Sequence, residues 1–400
     1  VGQAVTADWP SVIFGDDWRH AILLGRADFG DGPTPILVLD GRVWDISKLA
    51  PTVSQAINNW SHVLTATRRA EGRDLGSLAT AVAPSQLLAP IDLQCVKAAG
   101  VTFALSAVER VIEERARGDF AKANDIRKGL QDRIGTDIGA VKPGSPDAAR
   151  LKAALIADGL WSQYLEVAIG PDAEVFTKAP VLSSVGWGAE IGVRSDSDWN
   201  NPEPEVVLVC YAQGQALGAT LGNDVNLRDF EGRSALLLGK AKDNNASCGI
   251  GPFLRMFDED FSLDTVRQAD VSLEIEGLDG YRLSGLSSMA QISRDPLELV
   301  RQTLSEHQYP DGFVLFLGTL FAPTQDRDLP GQGFTHKVGD RVRVSSPGLG
   351  VLENTVVTSK AAAPWRFGIA ALMTNLASRG LLGQAPVPAP PVSAALASVG

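Results

Sequence analysis

Residues 199–231 read WNNPEPEVVLVCYAQGQALGATLGNDVNLRDFE. Asn201 and Glu203 each precede a proline, which pushes both out of the helical region into extended geometry. The β-branched run Val206, Val207 and Val209 then continues a strand. Glu203 and Glu205 are two apart on that strand, so both carboxylates project from one face. Like charges held that close repel unless a cation sits between them. A hard divalent ion with oxygen ligands is the natural partner, because no Cys or His cluster offers a softer metal a home. The bland alternative is a solvated acidic edge strand. Downstream, ALGATLG ends at a glycine turn and delivers Asp224 as a third carboxylate. Arg228 follows four residues later and Lys240 sixteen residues after Asp224. Taken singly, these have ordinary explanations: a turn aspartate, an arginine pairing with Asp229, a solvated lysine.

Working outward, AILLGRA, PILVLDG and RVWDIS near the N-terminus are short strand-like runs separated by turn signals such as DFGDGPTP. A helical stretch near TVSQAINNWSHVL and a linker-like SLATAVAPSQLLAP complete a small β-rich N-terminal domain over residues 1–90. From Asp92 the pattern becomes helical. In VTFALSAVERVIEERARGDF, Phe103, Leu105, Val108, Val111 and Ile112 recur at helical spacing, with charges opposite and Gly118 as a stop. Helices are also expected over AKANDIRKGLQDRI and PDAARLKAALIADGLW. After Gly170 come strands: VFTKAPVL, PEVVLVCYA, ALGATLG, VSLEIEG, YRLSG and FVLFLG. The helix DPLELVRQTLSEH interrupts them, KVGDRVRVSS and GVLENTVV form a late hairpin, and FGIAALMTNLASRGLL is a C-terminal helix. Residues 91–383 make one larger domain, and the Pro/Ala-rich residues 384–400 an unstructured tail. No internal repeat is visible.

The 400 residues carry 36 Lys and Arg against 47 Asp and Glu, a net charge of -11, with no basic run. That balance argues against nucleic acid or an anionic membrane as partner. Cys95, Cys210 and Cys248 are too few and too scattered for a disulfide framework or a zinc site, and fit a reducing compartment. The opening VGQAVTADWP lacks the basic and apolar regions of a signal peptide. No apolar run approaches the roughly 20 residues needed to span a bilayer. A cytoplasmic protein is expected.

EPE, then GNDVNLRDFE, then GK resembles the signature of the fumarylacetoacetate hydrolase superfamily: an ExE pair, NDxxxRDxQ and GK. FTKAPVLSS resembles its FxKxPS segment, FVLFLGTLFAP its glycine-threonine strand end, and GFTHKVGDRVRV its closing turn and hairpin. These pieces run in family order from about Gly100 to about Asn375. The resemblance implies an α+β fold with a β-rich, mixed β-roll catalytic domain and helical insertions. It makes Glu203, Glu205 and Asp224 ligands of Mg2+, with Mn2+ as an alternative. Arg228, Lys240, Gly318 and Thr319 fall on substrate-facing positions, Lys178 is a weaker site candidate, and Glu231 stands where many members have glutamine. Homodimers or homotetramers are the family's habit.

Family hydrolases activate water with a histidine in a GxNYxxH-type segment. Here Ser106 stands at the Asn position, Ala107 at the Tyr position and Arg110 at the His position, and His20, His62, His307 and His336 all lie elsewhere. RSDSDWNNPEPE, GRSALLLGKAKDNNASCGIGPF and SEHQYPDGFVLFLGTLFAP are instead similar to a branch that dehydrates 2-keto-3-deoxy-D-xylonate to 2-ketoglutarate semialdehyde. A 2-keto acid chelates a metal through its carboxylate and keto oxygens, and the metal stabilises the enolate left when C3 loses a proton. This chemistry needs a base and an acid but no activated water. Lys240 is the first candidate base, with pairing to the keto oxygen or a ligand carboxylate as its rival role. Ser106, Arg110 and Glu114 lie on a helix over the site, with Glu114 the usual kind of acid-base group or else an exposed charge. A C–C bond hydrolase and an oxaloacetate-type decarboxylase are the alternatives on the same metal site.

Overall fold

The computed structural model describes residues 8–383, apart from 16, 118, 120, 121, 124, 125, 127–140, 158, 322, 324 and 329–332. Most of the helix expected over 121–134, and all of the tail from 384, lie outside the described residues.

Four N-terminal strands form an antiparallel meander: β1 (Leu23–Asp28), β2 (Pro33–Leu39), β3 (Arg42–Asp45) and β4 (Arg73–Ser77). The rest of the chain supplies β5 (Cys95–Gly100), β6 (Glu174–Ala179), β7 (Glu190–Val193), β8 (Asn200–Asn201), β9 (Pro204–Cys210) and β10 (Ala216–Asp224). Then come β11 (Asn226–Leu227), β12 (Cys248–Met256), β13 (Asp270–Glu276), β14 (Arg282–Ser288), β15 (Phe313–Phe316), β16 (Arg341–Ser346) and β17 (Gly350–Thr358). Ten strands join in the order β4-β3-β2-β1-β12-β10-β9-β15-β5-β6, five in the order β14-β13-β16-β17-β7, and β8 pairs with β11.

Strand β1 pairs directly with β12, Leu23 opposite Arg255. Hydrogen bonding therefore continues across the boundary expected near residue 90: the N-terminal strands extend the sheet that contains β9 and β10. Strand β12 itself, CGIGPFLRM, has no counterpart among the sequence-based expectations, because its glycines and proline read as punctuation. The pairing with β10 shifts register between Ala219 and Leu221, opposite Arg255 and Gly251. Pro252, which has no N–H to donate, sits within that irregularity.

Strand β9 is buried along its whole length, as expected of a strand covered on both faces. Val206 and Leu208 share a core with Leu273 of β13 and Val344 of β16, between the two sheets. Val207 and Val209 point the other way, into a core with Val53, Ile57 and Val63 of the N-terminal helices. Glu203 and Glu205 belong to the Val207 face by alternation. Helix Ala104–Ala116 buries Ala107, Val108, Val111 and Ile112 against Leu165 and Ile169 of helix Gln163–Ile169. Its opposite stripe is turned toward the carboxylates. No described helix is long and apolar enough to cross a membrane.

Candidate metal and substrate site

The β9–β10 hairpin register brings the acidic groups together. Glu205 lies opposite Gly222, and the Asp224 N–H donates to the Glu203 carbonyl at 3.0 Å. One ligand atom each from Glu203, Glu205 and Asp224 fits within 4.8 Å, and all three residues are buried. Among the described residues they form the one such group of acidic, histidine or cysteine side chains. An all-carboxylate, oxygen-only donor set suits a hard cation such as magnesium. Burial and the neighbouring Asp224 and Glu203 push the Glu205 carboxyl well above the usual range, a repulsion that a divalent charge between them would relieve. The residues present therefore fit a divalent ion.

Four cations surround the cluster. Lys242 Nζ donates to Glu203 Oε2 and, at 3.0 Å, to Asp224 Oδ2. Arg110 bonds Glu203 Oε1 at 2.6 Å and Glu231 Oε2 at 3.1 Å. Burial raises the Glu203 carboxyl, but Lys242 and Arg110 outweigh it and hold the group at about 2. For Lys242 burial favours the neutral amine, yet Asp224 and Glu203 prevail and keep the ammonium charged. Lys178, fully buried, pairs with Asp224 Oδ1 at 2.8 Å and donates to the carbonyls of Val225 and Lys242. Arg228 is buried, and its Nε donates to Asn201 Oδ1 at 2.6 Å.

A cavity opens over these groups. Its wall includes Ser106, Arg110, Arg228, Gly318 and Thr319, as expected, together with Glu109, Glu174, Glu231 and Lys242. Two expectations are corrected. Lys240 is exposed, its Nζ 5.7 Å from the Phe230 ring, and the lysine that reaches the carboxylates is Lys242. Both belong to the short helix Leu238–Lys242, where two residues turn the chain by about 200°, so they face opposite ways. Glu114 lies a turn beyond the cavity and accepts from Gln163 Nε2 at 2.9 Å, while Glu109, three positions after Ser106, takes the wall position. Lys178 stands behind Asp224, outside the cavity wall, and steadies that carboxylate.

Three further wall residues make hydrogen bonds. Ser106 Oγ donates to the Phe103 carbonyl at 2.8 Å. Gly318 adopts φ +86°, and its N–H donates to Glu205 Oε2 at 2.6 Å. Thr319 Oγ1 accepts from the Phe321 N–H at 3.1 Å. Glu174, at the start of β6, was not singled out from the sequence, since an isolated acid before VFTKAP carries no pattern. It is half-buried, and burial followed by the nearby Glu231 raises its carboxyl to about 7, against the opposing pull of Arg110 and Lys242. No histidine lines the cavity among the described residues. His336 is buried beside Asp340, 3.2 Å from its Oδ2, and burial lowers its pKa.

Residues 149–357, just over half of the chain, match the profile of the family described as fumarylacetoacetate (FAA) hydrolase C-terminal. A probable 2-keto-3-deoxyxylonate dehydratase of Haloferax volcanii is 33% identical over 195 residues, which cover 49% of this chain and 64% of that protein. A 2-dehydro-3-deoxy-D-arabinonate dehydratase of Saccharolobus solfataricus is 33% identical over 156 residues, 39% of this chain and 51% of that protein. The matched stretches thus span less than two thirds of either relative. Among solved structures, a 2-keto-3-deoxy-D-arabinonate dehydratase complexed with magnesium and 2,5-dioxopentanoate superposes with a TM-score of 0.58 at 21% identity, over 84% of this chain and 99% of that one. At that identity the likeness is one of fold.

Proposed function

Because the chain belongs to the fumarylacetoacetate hydrolase family, we propose that it uses the three-carboxylate site to dehydrate a 2-keto-3-deoxypentonate to 2-ketoglutarate semialdehyde. D-Xylonate and D-arabinonate differ only at C2 and C3. The keto group and the deoxy carbon erase both centres, so the two sugar acids yield one and the same 2-keto-3-deoxy-D-pentonate. The dehydratases among the relatives support this substrate class.

Glu203, Glu205 and Asp224 would hold the divalent ion, which supplies Lewis-acid polarisation of the keto oxygen when bound. Arg228, whose Nε is held by Asn201, lines the cavity and would meet the substrate carboxylate. Lys242 stays cationic and fixes the ligand carboxylates, which makes it a poor base. Glu174 is the observation that carries the proposal: a cavity carboxyl at about 7 can both take and return a proton near neutral pH. It removes a proton from C3, then delivers it to the C4 hydroxyl, which leaves as water with the C4–O bonding pair. The unsaturated keto acid next gains a proton at C3 and loses one from C5. The resulting terminal enol takes a proton at C4 and gives up its O–H proton to become the aldehyde, so the net change is loss of one water. Arg110 has Glu203 and Glu231 as partners at the position where hydrolases carry histidine, which supports elimination over water activation.

The test is turnover of 2-keto-3-deoxy-D-pentonate in deuterated water, with the product oxidised by a coupled dehydrogenase. A five-carbon semialdehyde carrying deuterium is expected. EDTA should abolish its formation, and magnesium or manganese restore it. Rapid cleavage of acetylpyruvate without any dehydration would return the chain to the C–C hydrolases.

A further inference from the structure

Strand β14 is an edge strand of the five-stranded sheet and contributes no residue to the cavity wall, yet it meets the cavity through one ring. The chain leaving β15 passes Gly318, bonded to Glu205, and reaches Phe321 three residues later. Leu320 N–H donates to Ser287 Oγ of β14 at 2.9 Å, which pins the connecting segment to that strand. The Phe321 ring then lies over Gly285. A Cβ placed on Gly285 would meet the ring's Cε2 at 2.1 Å and Cδ2 at 2.4 Å. Gly285 is not among the positive-φ glycines, and the three atoms nearest to a Cβ built there all belong to the Phe321 ring.

We propose that Phe321, seated on Gly285, is the specificity-determining residue that limits the length of 2-keto acid the site accepts. Gly318 and Phe321 line the same cavity, and at most about 10 Å of extended chain separates their Cα atoms. Phe321 and Phe176 are the only aromatic side chains in the wall among the described residues, and both are half-buried. Packed on glycine, the ring lies back against β14. A methyl at 285 would force it forward, shortening the cavity from outside. Removing the ring would leave space for further carbons. This inference rests on the reading of the cavity as a 2-keto acid site and adds to it a device for chain length.

The test is calorimetric binding of straight-chain 2-keto acids, from pyruvate to 2-ketooctanoate, to the magnesium-loaded full chain. Wild type should lose affinity sharply beyond one length. Phe321→Ala should move that limit outward, improving the eight-carbon against the five-carbon acid by ~10-fold or more. Gly285→Ala should move it inward, and the double variant should behave like Phe321→Ala alone. An unchanged limit in Phe321→Ala, or a Gly285→Ala effect that persists without the ring, overturns the proposal. If Gly285→Ala does not fold, Phe321→Ala and Phe321→Leu decide alone. Dehydration of 2-keto-3-deoxypentonate is measured alongside. A movable length limit without dehydration sinks the reaction and leaves this inference; dehydration with an immovable limit does the reverse; binding of no keto acid removes both.

Discussion

Lys240 and Lys242 illustrate what a motif leaves open at the residue scale. GKAK offers two lysines, and only the local helix decides which one turns inward. Replacing Lys242 with Met leaves Glu203 and Asp224 short of a buried partner, so kcat should fall by ~10²-fold or more, the scale of losing one preorganised charge. Lys240→Met should stay within about twofold of wild type, with steady-state kinetics on the keto acid as the measurement. Glu174 gives a second residue-scale expectation. Its carboxyl stands near 4.5 unfolded and about 7 folded in the metal-free protein. Between those values the folded state binds the extra proton, so this group's contribution to stability is complete below pH 4.5 and is lost as pH rises through 7. Urea midpoints of metal-free protein at pH 5 and pH 8 should therefore fall more steeply for wild type than for Glu174→Gln. Equal slopes would mean that Glu174 is not held protonated. The three clustered carboxylates were legible because proline, alternation and a glycine turn constrain them locally. Glu174, Glu109 and Lys242 were not, since each enters the cavity by tertiary packing.

The strand end at Gly318 is where one element serves another. Its left-handed φ favours glycine, a Cβ there would approach Thr102 Oγ1 to 2.1 Å, and its N–H holds Glu205. Gly318→Ala should cost about 1–3 kcal/mol of stability and shift that donor. Magnesium affinity should weaken with it, as read by the metal-induced rise in melting temperature. An alanine variant with unchanged melting and unchanged metal response would show that the donor is dispensable. Elements with clean periodicity, such as β13 with its alternating DVSLEIE and helix Pro296–Leu304, match the sequence expectation. Strand β12 escaped it because a bulge tolerates the Gly and Pro that ordinarily end a strand.

For the whole molecule, the resemblance carried by the ordered motifs implied an α+β member of the family, and the family match and fold neighbour agree. The manner in which the N-terminal strands attach was not legible, since nothing in LLGRAD names its partner strand. That attachment moves one boundary of the large sheet out to β4, a five-residue strand reading RDLGS. Arg73 reaches back to Asp45, Asp74 pairs with Arg42, and Gly76 interrupts the pleat. A row of free amides and carbonyls beside such charges makes a poor template for another chain. The meander thus gives a ten-stranded sheet a boundary that resists strand addition. Without it the outer strand would be β12, longer and wholly buried, and the protein would become prone to self-association through open backbone rather than through any loss of the core.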